Sequence, residues 1–256
     1  MIPQINIEYP SYTVVTPQTL LTYKLRSLTV NDELNLKASI TDEDNSASIM
    51  NRTIFNCIIE KPEQITDFKD WLKKTTAEDH KSLMYALYHC SYGDDIEYTN
   101  SCPYCNAINS GVVKLSKGIK INNYEGAPLE ILDKDYKLSL EISKADVYFK
   151  YPTVQKSLDL GKNIEKVLTD NIEPYLLYID KIVYGDKTFS MSENNIDLIT
   201  MFKILPAKDR KSIDKFILNE MNKYTINASY RIKCSSCAKT YKYDIDFVVQ
   251  FFRQLQ

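Results

Sequence analysis

Cys102-Pro103-Tyr104-Cys105 and Cys234-Ser235-Ser236-Cys237, about 130 residues apart, are the stretches that decide how this chain folds. A β-prone run leads into each pair (Asp95 to Thr99; Ala228 to Ile232) and another follows it (Gly111 to Leu115; Thr240 to Ile245). A strand, a tight Cys-x-x-Cys turn and a returning strand make a zinc knuckle, and two knuckles supply the four thiolates of a closed tetrahedral site. Cys102, Cys105, Cys234 and Cys237 are therefore the expected ligands of one structural Zn2+ that ties two distant parts of the chain together. Iron also accepts four thiolates, so spacing alone leaves zinc and iron open. The position after each second cysteine tends to a left-handed backbone, which Asn106 tolerates and Ala238 resists.

Other uses of these cysteines fit less well. A thioredoxin-like motif would open a helix, where the macrodipole lowers the thiol pKa, whereas the residues that follow here read as strand. A disulfide framework suits small secreted domains, and no signal peptide is recognised here. Cys57 and Cys90 stand alone in apolar helical contexts and are expected to be inert core residues.

The 256 residues can build one large domain or two small ones. Thirty-two basic against 34 acidic residues leave a net charge of −2, which argues against a dedicated nucleic-acid binder. No apolar run approaches the ~20 residues that cross a bilayer, so a membrane partner is not expected and a reducing cytoplasm, where zinc thiolates persist, is the expected site of synthesis. The 19 tyrosines suit protein interfaces, although an AT-rich coding sequence would also produce them.

The two halves resemble each other. Tyr23 to Leu36 lines up with Val147 to Leu160, each a strand running through Thr-Val into a helix. Phe55 to Ile59 pairs with Ile179 to Val183, both read as apolar helix, and Lys81-Ser82-Leu83 pairs with Lys211-Ser212-Ile213. The fold class expected is α+β, as two pseudo-repeats. Each has a β-hairpin, helices and a knuckle, and one zinc-ribbon-like site joins them. Residues 1–118 would form the first repeat with an N-terminal arm, 119–134 (with Gly126 and Pro128) a linker, and 135–256 the second repeat. Expected elements are hairpins over Tyr12 to Leu28 and Tyr136 to Lys150, and a helix from Asn31 as N-cap. Further helices are expected over Ala47 to Ile59, Asp67 to Lys74, Ala77 to Cys90, Asp159 to Tyr184, Asn195 to Ile204 and Lys208 to Asn222. The apolar segment Phe247 to Leu255 is expected to pack on the second knuckle, with docking on a neighbouring subunit as the other reading. Ile2 to Ile7 reads equally as an added strand on a partner's sheet or a frayed terminus.

Catalytic sets are not recognised. His80 reads as a solvated polar-face residue and His89 as a helix-end residue, and their spacing is not that of a His-Glu-x-x-His site. Phosphate-binding and nucleophile-elbow patterns are absent, and acidic runs such as Asp42-Glu43-Asp44 and Asp94-Asp95 read as solvated loops. No catalytic residue, organic cofactor or small-molecule substrate is assigned.

Taken in order, the motifs resemble a known family. The Tyr-Lys-Leu-Arg-Ser-Leu-Thr-Val-Asn-Asp-Glu-Leu opening, the Asn-Cys-Ile-Ile segment, the Tyr-Phe-Lys-Tyr-Pro-Thr-Val strand, the Ile-Asp-Lys-Ile and Leu-Pro-Ala-Lys segments and both knuckles are similar to the T4-type phage baseplate hub family. The resemblance runs from about Leu20 to Phe252 and leaves Met1 to Thr19 outside. It implies a non-enzymatic structural or assembly role in the hub of a contractile tail, with other hub and tail proteins as partners. The implied place is the virion baseplate or the host cytoplasm during assembly, and retention in the particle stays open. A zinc-ribbon nucleic-acid-binding module and a cytoplasmic thiol oxidoreductase are the other readings. Salt-dependent nucleic-acid affinity and an alkylation-sensitive, depressed-pKa thiol would mark them.

Overall fold

The structure, a computed structural model, describes residues 7–40, 46–163, 172–190 and 195–254. Asp42-Glu43-Asp44 and most of the Ile2 to Ile7 segment lie outside them. The chain is α+β. Strands β1 (Ser11–Val15) and β2 (Thr22–Arg26) form the first hairpin, followed by α1 (Val30–Ile40), α2 (Ser46–Cys57) and β3 (Ile58–Glu60), which pairs with β2. Thr29, not Asn31, caps α1: its hydroxyl accepts the Asp32 N–H at 3.2 Å while the Asp32 carboxylate accepts the Thr29 N–H at 2.9 Å, a reciprocal capping box. Helices α3 (Phe68–Lys74) and α4 (Ala77–Tyr92) begin at Asp67 and Thr76, whose side chains accept the N–H groups of Asp70 and Asp79. Strands β4 (Asp95–Ser101) and β5 (Ile108–Lys114) form a two-stranded ribbon around the first knuckle, ending in a short helix α5 (Leu115–Gly118). Asp94 is not a merely solvated loop residue, since it accepts both the N–H and the hydroxyl of Ser116 at 2.7 Å.

Residues expected as linker carry a strand. β6 (Ile119–Ile121) joins the sheet of the second knuckle, and a short helix α6 (Glu130–Asp133) follows. Then come β7 (Tyr136–Ser139), β8 (Asp146–Phe149), α7 (Val154–Asn163), α8 (Glu173–Tyr178), β9 (Ile179–Tyr184), β10 (Lys187–Ser190), α9 (Asn195–Lys203) and α10 (Ala207–Phe216), which runs into a π-turn at Ile217–Met221. The chain closes with β11 (Ile226–Lys233), the second knuckle, β12 (Thr240–Ile245) and α11 (Phe247–Gln254).

Ile179 to Tyr184 is strand, not the expected helix. The pairing of β8 with β9 shifts register between Tyr148 and Phe149, so Ile179 and Ile182 both turn inward and are fully buried. This bulge produces an i, i+3 apolar spacing that imitates a helix. Gly185, at φ 57°, then turns the chain into β10, a strand the sequence reading missed. β2 and β3 carry the same irregularity between Lys24 and Leu25, where Leu25 pairs with Ile58 much as Phe149 pairs with Ile179.

Other geometry recurs between the halves. The β1–β2 loop closes with Thr16 N–H on Leu21 O at 2.9 Å and the β7–β8 loop with Leu140 N–H on Ala145 O at 2.8 Å. Leu20 and Lys144 are left-handed at φ 57° and 59°. Asp79, in the first turn of α4, accepts the N–H groups of Gln18 and Thr19 at 2.8 and 3.2 Å. Asp209, in the first turn of α10, accepts those of Ile142 and Ser143 at 3.1 and 2.7 Å. Each buried carboxylate thereby ties a hairpin loop to the helix that leads to a knuckle.

Two cores result. One gathers Tyr23, Leu25, Trp71, Leu83 and Leu87 with Ile226, Ala228, Ile245 and Phe251, so the end of the chain completes the core of its beginning. The other holds Val147, Phe149, Ile179, Ile182, Phe202 and Ile213. Phe251 packs edge-on against Tyr92, with ring centroids 6.2 Å apart. Among the described residues α11 is thus seated on α4, in a core that Ala228 and Ile245 of the second ribbon also enter, and contributes nothing to the apolar cover of the sulfurs, where it was expected to pack.

Candidate metal centre

Each knuckle is a tight turn held by two backbone hydrogen bonds. Cys102 N–H reaches Ala107 O and Asn106 N–H reaches Cys102 O, both at 2.9 Å; Cys234 N–H reaches Lys239 O at 2.9 Å and Ala238 N–H reaches Cys234 O at 3.0 Å. Asn106 and Ala238 lie in the left-handed region at φ 60° and 58°. Asn106 meets this conformation with a side chain that tolerates it; Ala238 occupies it at a cost of about 1–2 kcal/mol.

The turns bring all four predicted sulfurs within 4.8 Å of one another. Cys102 Sγ lies 3.8 Å from Cys237 Sγ, and Cys105 Sγ lies 3.6 Å from Cys234 Sγ. A tetrahedron with Zn–S bonds near 2.3 Å has edges of about 3.8 Å, so the donor set fits a tetrahedral thiolate metal. Cys102 and Cys234 are buried, Cys237 is half-buried and Cys105 faces solvent. The backbone N–H of Cys237, then that of Ser236, favours a thiolate at Cys234 and lowers its pKa to about 6 against the opposing effect of desolvation. At Cys105 the N–H of Ala107 also favours the thiolate. The crowding sulfurs of Cys237, Cys234 and Cys102 outweigh it and push the thiol up to about 12. Four sulfurs this close cannot all ionise without a cation among them. The cluster is able to hold a metal ion.

Sequence reading missed what steadies the cluster. Asn109, buried on β5, directs Nδ2 at Cys234 Sγ (3.7 Å), and its Oδ1 accepts the N–H and hydroxyl of Ser235 at 3.0 and 3.2 Å. Tyr241, on β12, donates its hydroxyl to Asn100 Oδ1 at 2.9 Å. The sulfurs are roofed by Ile232 and Tyr241, with Tyr98 and Tyr243 packed alongside. Tyr230 donates to the carbonyls of Lys114 and Leu115 at 2.9 and 3.2 Å, pinning the second ribbon to the end of the first. These contacts cross between segments far apart in sequence, and no local spacing announces them.

The remaining candidates are structural. Burial pushes the Cys57 thiol up to about 12 and the Cys90 thiol up to about 11, which leaves both unreactive. His80 is not a solvated residue: its Nε2 is buried with no hydrogen-bond partner among the described residues, and its ring lies 6.2 Å from that of Trp71. His89 sits in the last turn of α4, its ring 4.7 Å from that of Tyr12 and tilted 48° to it.

The sequence pattern that describes T4 bacteriophage base plate proteins matches residues 9–253, the whole body of this fold including both knuckles. The chain belongs to the T4 bacteriophage base plate protein family. The match begins before β1, so the first hairpin, partly left outside by the resemblance, falls within it. No curated protein and no solved structure matches the chain. As a base plate family member it is a structural protein of the phage tail, and its partners are other tail and baseplate proteins. Among the described residues no helix is long and apolar enough to cross a membrane.

Proposed function

We propose that this base plate protein is a non-enzymatic subunit or assembly factor of the tail hub, and that one structural zinc clasps its two halves. Cys102, Cys105, Cys234 and Cys237 would hold the ion, which would offset the charge of four thiolates and lock the two ribbons together. The observation that carries the clasp is the spacing of the sulfurs, 3.6 and 3.8 Å between cysteines of the two knuckles, about 130 residues apart in sequence. Structural zinc of this kind contributes on the order of 10 kcal/mol of apparent binding free energy, coupled to folding. The halves, 1–118 and 135–256, are read as a duplication. The matching hairpin loops, the matching bulges and the equivalent Asp79 and Asp209 support that reading.

Elemental analysis of the purified chain tests the clasp: one zinc per chain is expected, lost together with the folded state in Cys102→Ser and Cys234→Ser. Iron at one per chain would replace zinc, and a folded, metal-free Cys102→Ser protein would remove the clasp. Quantitative mass spectrometry of purified particles beside infected-cell lysate tests the hub role. A small fixed copy number marks a subunit, and abundance in lysate with absence from particles marks an assembly factor. A high copy number matching the tail tube or sheath would sink the hub assignment.

A further inference from the structure

The two halves neutralise the same corner differently. In the first, Arg26 at the end of β2 donates to Asp32 Oδ2 at 2.8 Å, and the same oxygen accepts the N–H and hydroxyl of Thr29 at 2.9 and 2.7 Å. Pairing Tyr23 to Leu36 with Val147 to Leu160 sets Lys150 opposite Arg26, Thr153 opposite Thr29 and Lys156 opposite Asp32. The cap is kept, since Thr153 Oγ1 accepts the Lys156 N–H at 3.3 Å. The carboxylate is not. A cation stands where the first half has its anion.

A cleft of about 710 Å³ opens at this corner, lined by Lys73, Lys150, Lys156 and Lys181 against Asp159 and Asp180. It lies where α3 of the first half meets α7 and β9 of the second. Lys150 pairs at 2.7 Å with Asp135, a mostly exposed carboxylate. Lys181 leans over the Tyr148 ring at 4.7 Å, and Asp159 accepts the Gln155 amide at 2.8 Å. Lys156 is largely buried and spends one hydrogen on the Ile179 carbonyl at 3.0 Å. Desolvation pushes its pKa down to about 8, with Asp180 as the charge that opposes the shift. The volume falls within the range of ~300–1,000 Å³ typical of binding pockets.

We propose that this cleft binds an acidic peptide segment of a neighbouring tail protein, one of whose Asp or Glu carboxylates takes the position that Asp32 fills in the first half. The source of the peptide rests on the base plate reading; the carboxylate chemistry rests on the cleft. Fluorescence anisotropy of a labelled octaglutamate peptide with the full, metal-loaded chain tests it. Saturable binding that weakens with salt is expected. Lys156→Asp sets a carboxylate beside Lys150 and should cut affinity by at least about tenfold. Because it also gives up the Ile179 hydrogen bond and faces Asp180, its fold is checked by circular dichroism, and the milder Lys156→Gln should weaken binding in the same direction. Exposed Lys117→Asp, far from the cleft in sequence, serves as the charge control and should bind like wild type. Absence of binding, or equal binding by Lys156→Asp, overturns the proposal. Displacement by inorganic phosphate at matched charge would make this a site for a free oxyanion and overturns the peptide as well. Particle composition, which tests the hub role, is a separate measurement, so either reading can fail alone.

Discussion

Asn109 and Tyr241 occupy the same place in their respective knuckles, four residues beyond the second cysteine, and each reaches across to the other knuckle. Asn109 holds the Ser235 backbone and touches Cys234 Sγ, whereas Tyr241 holds Asn100 on the strand entering the first turn. Reciprocal bonds of this kind orient ligands before a metal arrives, and outer-sphere partners commonly govern metal affinity by about 10–100-fold.

Asn109→Ala removes the acceptor of the Ser235 N–H, which lies at the solvent-facing side of the turn, together with the amide at Cys234 Sγ, and should cost about 0.5–1.5 kcal/mol. Tyr241→Phe removes one hydroxyl and keeps the ring, so about 1 kcal/mol is expected. Urea denaturation of the metal-loaded protein gives the stabilities, and metal transfer to a chromogenic chelator gives the release rate. Release should quicken more in Asn109→Ala; equal release in wild type and both variants would show that the bonds do not support the centre.

Gly118 lies under Tyr230. A Cβ there would stand 2.1 Å from the Tyr230 ring, too close for an aromatic side chain to accommodate without moving. Gly118→Ala should destabilise the chain by about 1–3 kcal/mol through overpacking. The penalty should shrink below about 1 kcal/mol in a Tyr230→Ala background, because contacting residues couple. A double-mutant cycle by chemical denaturation measures this, and additive effects would show that the ring is not what the new methyl meets.

Asp79 and His80 titrate against each other. Burial lowers the His80 pKa to about 4, so between there and about 6.5 the folded state binds fewer protons than the unfolded one and stability is lost as pH falls. Burial raises Asp79 to about 6, despite its hydrogen bonds from Thr19 and Gln18. Its folded state keeps a proton that the unfolded chain has released, so stability is lost as pH rises from about 4 to 6. Replacing His80 by Gln removes the first effect. The variant should gain about 2 kcal/mol on wild type between pH 7 and pH 5, read from denaturation midpoints at both values. An unchanged difference would mean that His80 is protonated without penalty in the fold.

Phe251 is fully buried against the core of the first half. Phe251→Ala should cost about 3–5 kcal/mol. Hydrogen exchange should then quicken in α4 and β2, not only in α11. Loosening confined to the last helix would contradict a shared core.

How much of this was legible depended on the distance over which each feature is encoded. Knuckles are written within a few residues, so the four cysteines and the left-handed Asn106 and Ala238 could be read directly. The hairpins of both halves follow from local alternation, and most helices from apolar recurrence. β9 was misread because a bulge puts Ile179 and Ile182 on one face, a pattern that one strand alone cannot distinguish from a helical turn. Asn109 and Tyr241 carried no signal, since an amide or a phenol in a strand is commonplace until its partner is known. The seat of α11 on α4 was hidden for the same reason: an amphipathic helix announces that it must be covered, not by what. His80 looked like a surface residue because its neighbours in sequence are charged, while its ring meets Trp71 from another helix.

The return of β11, β12 and α11 to the first core gives synthesis a direction. While the chain is being made, Tyr23, Leu25 and the apolar face of α4 lack their covering residues, because Ile226, Ala228, Ile245 and Phe251 have not yet been added. A chain released before β11 would keep that surface bare and could not complete the sulfur cluster, so solubility itself would separate chains that carry β11 to α11 from shorter ones. Assembly from the soluble pool would then draw on chains made at least as far as α11.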